Sequence, residues 1–158
     1  MASSDTLRDS ANDASTKPAA ALLGWRALAL FYDLWPAVAL WMAAAALFLL
    51  AHGNQPLAAF SALQLLLWLL CWLLTGAYAI VSWRRGGQTL GMRPWRLRVL
   101  ASDGSAPTWR AALVRYLVGS ASLLLGGLGF WWAWIDRDRL TWHDRASCTR
   151  MRREAKRQ

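Results

Sequence analysis

The stretch that decides the fold class covers residues 61–83 and reads SALQLLLWLLCWLLTGAYAIVSW. Its only ionisable side chains are those of Cys71 and Tyr78. About 20 consecutive apolar residues are enough for a helix to cross the hydrocarbon core of a bilayer. A helix buried in a soluble bundle normally keeps a polar face, which this stretch lacks. The stretch therefore predicts a membrane-spanning helix.

Two further blocks, residues 25–51 and 113–135, have a similar length and composition. The chain of 158 residues is 56% hydrophobic and contains 12 tryptophans, which is unusual for a soluble protein. We predict an all-α integral membrane protein with hydrophobic helical segments at residues 25–51, 61–83 and 113–135. Residues 1–21 are rich in small and polar side chains and predict a disordered tail, and residues 150–158 predict a basic C-terminal tail.

The distribution of positive charge predicts the orientation of the helices. Residues 52–60 contain no Lys or Arg, whereas residues 84–115 contain seven arginines. Lys and Arg residues are retained on the cytoplasmic side of a membrane. We therefore predict that the N-terminus and the basic central loop are cytoplasmic, and that residues 52–60 face the outside.

The C-terminal tail conflicts with three complete crossings. Residues 136–158 carry eight Lys and Arg residues, yet a complete third crossing would place them outside. Gly119 and the GGLG cluster at residues 126–129 can bend or break a helix. We predict that the third segment is broken or re-entrant and that the tail is cytoplasmic. The alternative is a complete crossing that translocates the tail despite its charge.

The central loop has internal order. Residues 95–99, WRLRV, alternate apolar and basic side chains with the period of two that is typical of a strand. Asp103 and Gly104 predict a turn, and Ser105 or Thr108 can cap the helix that follows. The loop is therefore predicted to contain a short strand or hairpin that rests on the bilayer.

The arginines of this loop predict contact with a lipid surface. Next to membrane helices, basic side chains interact favourably with anionic headgroups, by about 1 kcal/mol for each residue near the surface. We favour this interpretation over nucleic-acid binding, which basic residues interleaved with tryptophan can also indicate. The predicted lipid contacts are Arg84, Arg85, Arg93, Arg96 and Arg98.

Two charges interrupt the first hydrophobic segment. Arg26 lies close to its edge and can extend to the interface. Asp33 lies deeper, where an ionised side chain costs about 2.5 to 3.5 kcal/mol and needs a partner. Pro36 leaves the carbonyl of Tyr32 without its helical donor. Three interpretations stay open: an ion pair of Asp33 with Arg26 or Arg115, an ion or proton site, and recognition of a partner protein.

Other kinds of chemistry find little support in the sequence. His52, His143, Cys71 and Cys148 are each isolated, so their spacing predicts neither a metal site nor a disulfide. The sequence has no set of side chains typical of nucleophilic or acid–base catalysis. We expect a protein that is not an enzyme and that binds no cofactor.

Four spaced motifs resemble those of the RDD family of bacterial membrane proteins. RALALFYD at residues 26–33 is similar to the family's first-helix motif, and GQTLG at residues 87–91 is similar to its central-loop motif. Arg115 in RAALVRY matches the next basic position, and HDRASCT at residues 143–149 is similar to the closing segment. Two features depart from the family pattern. Ser-Cys at residues 147–148 replaces the usual Ala-Gly, and the chain ends in a basic tail where relatives often continue as a strand.

The resemblance covers residues 22–149 and implies a small multi-pass protein of the bacterial cytoplasmic (inner) membrane. We predict that the family-type charges converge at a buried polar or ion site in the cytoplasmic half of the bilayer. As a transport hypothesis, Asp33 binds a proton or cation and the arginines set its pKa. The alternative is a non-transporting accessory or scaffold protein that binds a partner complex or anionic lipid, and a homo-oligomer is compatible with either. The predicted site residues are Arg26, Asp33, Arg115 and Asp144.

Overall fold

The computed structural model describes residues 22–154. The predicted disordered tail at residues 1–21 and the end of the predicted basic tail, residues 155–158, lie outside the described residues. Within the described range the chain is mostly helical, with one two-stranded sheet. In chain order the elements are α1 (Leu22–Ala51), α2 (Ala62–Gly86), β1 (Leu97–Ala101), α3 (Trp109–Leu124), α4 (Leu128–Ile135), α5 (Trp142–Ala146) and β2 (Thr149–Arg153).

Helices α1 and α2 are both long and apolar enough to cross a membrane, which confirms the predicted segments at residues 25–51 and 61–83. α1 has 30 residues and α2 has 25, so they extend about 45 and 38 Å. α1 continues through Pro36 without a break. Most of their leucine, tryptophan and phenylalanine side chains are exposed. This exposure is expected for helices in lipid, whose hydrocarbon is as apolar as a leucine side chain.

Helix α2 has a defined cap at each end. Ser61 Oγ accepts a hydrogen bond from the Gln64 N–H at 3.2 Å, which satisfies one of the unpaired donors of the first turn. Gly87 closes the helix in the left-handed region, at φ 68°, and its N–H donates to the Trp83 carbonyl at 3.0 Å. The Gly87 carbonyl accepts from the Val99 N–H at 2.8 Å, so the cap also positions β1.

The third hydrophobic segment is broken, as predicted. Helices α3 and α4 meet at an angle of 98° across residues 125–127. Gly126 and Gly127 adopt positive φ angles of 69° and 81°, a region that glycine enters without steric cost. Gly129 packs closely against Ser122, because a Cβ atom at Gly129 would lie 2.5 Å from the Ser122 Oγ. The glycine cluster therefore creates both the bend and the close return of the chain.

β1 corresponds to the predicted strand of the central loop, but it begins two residues later, at Leu97. The alternation at residues 95–99 predicts the strand there, but Arg96 adopts a positive φ of 54° and pairing begins at Leu97. The predicted turn and helix cap are both present. The Asp103 carboxylate accepts from the backbone N–H two residues later at 2.9 Å, and Thr108 Oγ1 accepts from the N–H three residues later at 3.2 Å.

The partner of β1 is β2, which comes much later in the chain. The strands are antiparallel, with Val99 opposite Met151. Residues 150–153, the first part of the basic tail predicted for residues 150–158, therefore belong to a strand. The pairing brings the chain that follows α4 back to the same end of the helices as the loop that follows α2.

The turn between α5 and β2 accommodates the departure from the family pattern. Cys148 adopts a positive φ of 51°, a region that is uncommon for residues with a Cβ atom and easy for glycine. Ser147 Oγ donates to the His143 carbonyl at 2.5 Å and lies 2.7 Å from Thr149 Oγ1. These hydrogen bonds hold the turn, with a cysteine at the position where the family usually has glycine.

The sheet and the start of α1 form a small buried core. Leu97 and Val99 are fully buried and pack with Ala29 of α1. Trp25 and Trp95 pack against this core, and their ring centroids are 4.9 Å apart. The alternate positions of β2 are exposed arginines. This end of the molecule therefore has an interior like that of a soluble protein, whereas the long helices expose their apolar side chains.

Candidate functional site

Asp144 binds two arginines at the end of the helices that carries the sheet. Arg26 Nη1 of α1 lies 2.6 Å from Asp144 Oδ2, and Arg115 Nη1 of α3 lies 2.5 Å from Asp144 Oδ1. The side chains of Arg26, Arg115 and Asp144 are 6%, 2% and 0% exposed. We call these three residues the Arg-Asp-Arg cluster. One carboxylate of α5 thus joins α1, α3 and α5 inside the protein.

Two threonines complete the cluster. Thr141 caps α5, because its Oγ1 accepts from the Asp144 N–H and its own N–H donates to Asp144 Oδ2, both at 3.4 Å. Thr141 Oγ1 also accepts from Arg26 Nη1 at 3.3 Å, and Thr149 Oγ1 accepts from Arg115 Nη1 at 2.8 Å. Buried charges are tolerated when they are paired and hydrogen-bonded. The cluster meets both conditions at Asp144.

The protonation state of the cluster follows from burial and from neighbouring charges. Burial acts to raise the pKa of Asp144, but the positive charges of Arg115 and Arg26 outweigh it and hold that pKa well below its usual range. Burial and the nearby Arg115 together lower the pKa of His143 to about 3. At neutral pH the cluster therefore contains two guanidinium ions and one carboxylate beside a neutral imidazole.

Asp33 has a different set of partners. Its Oδ1 accepts hydrogen bonds from the Tyr78 hydroxyl and from the Gly91 N–H, both at 2.9 Å. Its Oδ2 accepts a hydrogen bond from the Thr89 hydroxyl. The Tyr78 oxygen in turn accepts from the Leu90 N–H at 2.9 Å. The Asp33 carboxylate therefore joins α1 to α2 and to the GQTLG segment, and we call this arrangement the Asp33 site.

Gly91 allows the loop to reach α1. A Cβ atom at Gly91 would lie 2.7 Å from the Asp33 backbone nitrogen and would overlap the Ala29 carbonyl oxygen. The loop backbone therefore rests directly on the helix, at the point where the Gly91 N–H meets the carboxylate. This close approach is the physical reason for glycine at the end of the GQTLG segment.

The four predicted site residues divide into two groups. Arg26, Arg115 and Asp144 are in direct contact, whereas Asp33 forms no ion pair among residues 22–154. The hypothesised pair of Asp33 with Arg26 or Arg115 is not formed, because both arginines bind Asp144 instead. The spacing of Arg26 and Asp33 does put them on one face of α1, but about 10 Å apart along its axis.

Both groups border one cavity between α1, α2 and α3, with a volume of about 1120 Å³. Arg26, Arg115 and His143 line it next to the sheet, and Asp33 and Tyr78 line it further along the helices. The rest of the lining is largely apolar and includes Trp41, Leu67, Trp68 and Leu123. The cavity thus has a charged end and an apolar remainder.

The arginines predicted to contact lipid have different environments. Arg84 binds within the protein, since its Nη1 donates to the Pro107 carbonyl at 2.8 Å and its guanidinium lies 5.3 Å from the centroid of the Trp109 ring. The others are exposed or half-buried: Arg85, Arg93, Arg96 and Arg98. Contact of these side chains with anionic headgroups stays a prediction.

Sequence reasoning did not assign the neutral partners of these charges. Tyr78, Thr89 and Gly91 bind Asp33, while Thr141 and Thr149 bind the arginines. A usable signal existed for the first group, because Tyr78 is a hydroxyl in an otherwise apolar helix and the other two lie in the GQTLG motif. Thr149 had the same kind of signal, because it closes the HDRASCT motif, whereas Thr141 had none.

Comparison with known proteins places the chain in a family. A search of curated proteins and a search of solved structures returned no match. One family model, described as the RDD family, matches residues 20–147. This range includes the first-helix motif, the central-loop motif and the His-Asp pair, and it covers most of the 158 residues. The chain therefore belongs to the RDD family.

Proposed function

We propose that this RDD-family protein is a multi-pass protein of the bacterial cytoplasmic membrane that exchanges a proton or a small cation at Asp33, and that it is not an enzyme. One observation carries the proposal. Asp33 lines a cavity between membrane helices, and among the described residues it is bound by neutral donors and by no ion pair. An ionisable group inside a membrane segment is costly, and it commonly marks an ion or proton pathway.

Asp144 is less suited to such exchange. Its two guanidinium partners favour the ionised form, and protonation would leave two buried positive charges without a counter-ion. We propose a structural role for the Arg-Asp-Arg cluster and an exchange role for Asp33. This proposal replaces the hypothesis that the arginines act on Asp33 by direct contact.

The donors of the Asp33 site suit a group that changes its charge. The hydroxyls of Tyr78 and Thr89 donate to the ionised carboxylate, but a hydroxyl can also rotate and present a lone pair to a bound cation. The Gly91 N–H can only donate. Proton or cation binding therefore weakens the contact between Gly91 and Asp33, and we infer that the loop moves on α1 when Asp33 is occupied.

The distribution of charge supports one orientation. Exposed arginines lie on the central loop and on β2, which are at the same end of the molecule. Because basic residues are retained on the cytoplasmic side, we propose that this end faces the cytoplasm. Two complete crossings and one re-entrant segment then keep the C-terminal strand beside the central loop.

Ion flux across vesicle membranes tests the exchange proposal. The purified protein is reconstituted in vesicles loaded with a pH-sensitive dye, and Na⁺, K⁺ and pH gradients are imposed in turn. We expect a protein-dependent flux that Asp33→Asn abolishes, because the amide keeps a similar shape but takes up no proton. Asp103→Asn is the matched control, since Asp103 lies in an exposed turn outside the cavity. Unchanged flux in Asp33→Asn would refute the exchange role.

A second candidate is an accessory protein that binds anionic lipid or a membrane complex. The exposed arginines at the sheet end favour it: Arg85, Arg93, Arg150 and Arg152. Anionic headgroups or an acidic partner protein would complement this surface. Chemical cross-linking in membranes, followed by purification, would then give a stoichiometric complex, and reconstituted protein would give no flux for any ion.

A further inference from the structure

The cavity between α1, α2 and α3 has the dimensions of a site for an amphiphile. Its lining extends along α1 from Arg26 to Ala45, a distance of about 28 Å. The hydrocarbon core of a bilayer is about 30 Å thick, so the cavity follows the membrane over most of its depth. Its volume of about 1120 Å³ is large enough for one small molecule with a long chain.

Three buried nitrogen atoms at the charged end have no partner. Arg26 Nε, Trp83 Nε1 and His143 Nδ1 make no hydrogen bond within residues 22–154. All three residues line the cavity, and Arg26 and His143 are only 6% and 5% exposed. Buried polar atoms in folded proteins are nearly always hydrogen-bonded. The three nitrogen atoms are covered by the surrounding protein, so a bound group that accepts hydrogen bonds would reach them after small shifts of the neighbouring side chains.

The charge at this end also lacks a counterpart. Arg26 and Arg115 share the single carboxylate of Asp144, so the Arg-Asp-Arg cluster carries one excess positive charge. Asp33 does not neutralise it by contact, because it lies about 10 Å further along α1 and accepts hydrogen bonds from other donors. A singly charged anion therefore complements the cluster.

We propose that the cavity binds a single-chain anionic amphiphile, a long-chain carboxylate. Its headgroup accepts hydrogen bonds from Arg26 Nε and Trp83 Nε1, and from His143 in the tautomer that is protonated on Nδ1. Its hydrocarbon chain lies against the apolar lining formed by residues such as Trp68 and Leu123. The single charge of a carboxylate matches the single excess charge of the cluster. This binding does not depend on ion exchange at Asp33.

Photo-cross-linking in nanodiscs tests the proposal. The full-length protein in phosphatidylcholine nanodiscs is irradiated with a palmitate analogue that carries a diazirine in its chain, and the adducts are located by peptide mass spectrometry. We expect adducts on cavity residues of α1, α2 and α3, and we expect excess palmitate to suppress them. Adducts spread evenly over the exposed leucines of the helices would overturn the proposal.

One pair of glycine variants tests the position of the chain. Gly119 lines the cavity, and a Cβ atom there would meet no atom within 4 Å. A Cβ atom at Gly24 would also meet no atom within 4 Å, but Gly24 does not line the cavity. Gly119→Leu should narrow the cavity and reduce labelling about tenfold, whereas Gly24→Leu should leave labelling unchanged. Undiminished labelling of folded Gly119→Leu would contradict the assignment.

A pair of tryptophan variants tests the headgroup. Trp83 and Trp95 both have a buried Nε1 without a partner in the described part of the chain, but only Trp83 lines the cavity. Trp83→Phe removes one proposed donor and should weaken labelling several-fold, because a hydrogen bond to a charged group is lost. Trp95→Phe is the control and should label like the unmodified protein.

Probes of different chemistry test the charge of the bound amphiphile and the number of its hydrocarbon chains. A long-chain alcohol with the same diazirine should label about tenfold less than the carboxylate, and a phosphatidylglycerol probe should also label less. Equal labelling by the alcohol, or stronger labelling by the phospholipid, would overturn the proposal. The Asp33→Asn variant should still be labelled by the carboxylate probe even when it loses ion flux. Failure of the exchange proposal can therefore be distinguished from failure of the carboxylate-binding proposal.

Discussion

Asp144 and Asp33 both hold helices together near the same cavity, but they do so with different partners. Asp144 is fully buried and binds two guanidinium groups, from Arg26 and Arg115, at 2.6 and 2.5 Å. Asp33 is half-buried and accepts hydrogen bonds from neutral groups, including the Tyr78 hydroxyl. The first carboxylate is fixed by charge, and the second is fixed by hydrogen bonds alone.

This difference separates two uses of a buried carboxylate. Removal of the charge at Asp144 leaves buried guanidinium groups unpaired, which is among the costlier changes in a protein interior. Loss of the charge at Asp33 weakens hydrogen bonds from neutral donors to a carboxylate, each of which contributes about 1.5 to 3 kcal/mol, but leaves no buried charge unpaired. Under the proposed function, the protein therefore relies on ion pairs where helices must stay joined and on neutral donors where the charge must change.

The largest expected effect is the loss of the carboxylate at Asp144. Asp144→Asn leaves Arg26 and Arg115 buried without a counter-ion and should lower the free energy of unfolding by about 3 to 5 kcal/mol. The free energy of unfolding is measured in detergent, with denaturant or heat. The control is Asp138→Asn, because Asp138 is 63% exposed in its contact with Arg145 and should contribute at most about 1 kcal/mol. Equal losses of unfolding free energy in Asp144→Asn and Asp138→Asn would show that the buried ion pairs of Asp144 contribute no more than an exposed one.

Acid should destabilise the end of the molecule that contains Asp144. The pKa of His143 is about 3 in the folded protein, against an ordinary value of 6.5, so the unfolded chain takes up this proton first. Stability therefore falls as the pH drops from about 6.5 towards 3, by up to about 1.4 kcal/mol per pH unit. Asp144 adds to this loss of stability once the pH falls below 3.8, the ordinary pKa of an aspartate, because folding lowers the pKa of Asp144.

His143→Gln isolates the histidine contribution. The variant should flatten the decline in unfolding free energy between about pH 6.5 and pH 4, because no imidazole is left to titrate. His52→Gln, at an exposed position beyond α1, should keep the decline. The measurement is the free energy of unfolding in detergent at several pH values. A decline of unchanged slope in His143→Gln would show that other groups cause the acid sensitivity.

The contact between the loop and α1 should be sensitive to one methyl group. Gly91→Ala places a Cβ atom against the Asp33 backbone and the Ala29 carbonyl, which should lower the free energy of unfolding by about 1 to 3 kcal/mol. Limited proteolysis should also cut the central loop faster. Gly86→Ala is the control, since a Cβ atom there meets no atom within 4 Å. Equal stability of the two variants would exclude tight packing at Gly91.

The smallest expected effect is the loss of one hydroxyl at Asp33. Tyr78→Phe removes the donor to Asp33 and the acceptor for the Leu90 N–H, and it should lower the free energy of unfolding by about 1.5 kcal/mol. Tyr32→Phe, at an exposed ring of α1, should have a smaller effect. A loss as large as that of Asp144→Asn would mean that both carboxylates are equally structural.

The membrane helices and the bend in the third segment could be predicted because they depend on local composition. An apolar run such as residues 61–83 has few alternatives to a membrane helix. The glycines at residues 126–129 mark the break through their own conformational freedom. The family motifs pointed to Arg26, Asp33, Arg115 and Asp144, but such motifs mark positions and not contacts.

The partners of those charges could not be predicted in the same way. Arg26 and Asp144 are 118 residues apart, so their contact depends on how α5 packs against α3. The shared helix face of Arg26 and Asp33 is a local regularity, and tertiary packing overrides it. Similarly, TRMRR at residues 149–153 resembles a basic tail until β1 provides a partner for its buried positions.

The strand pair has a consequence for how the protein is made. As the chain leaves the ribosome, β1 emerges long before β2, so Val99 has no partner until Met151 has been synthesised. Helices α3, α4 and α5 lie between the strands. Under the orientation proposed above, α3 and α4 therefore enter the bilayer as one bent unit whose two ends stay on the same side. The bent segment is therefore completed last, when the end of the chain closes the sheet behind it. A reporter fused after β2 and one inserted in the turn after β1 should accordingly be found on the same side of the membrane.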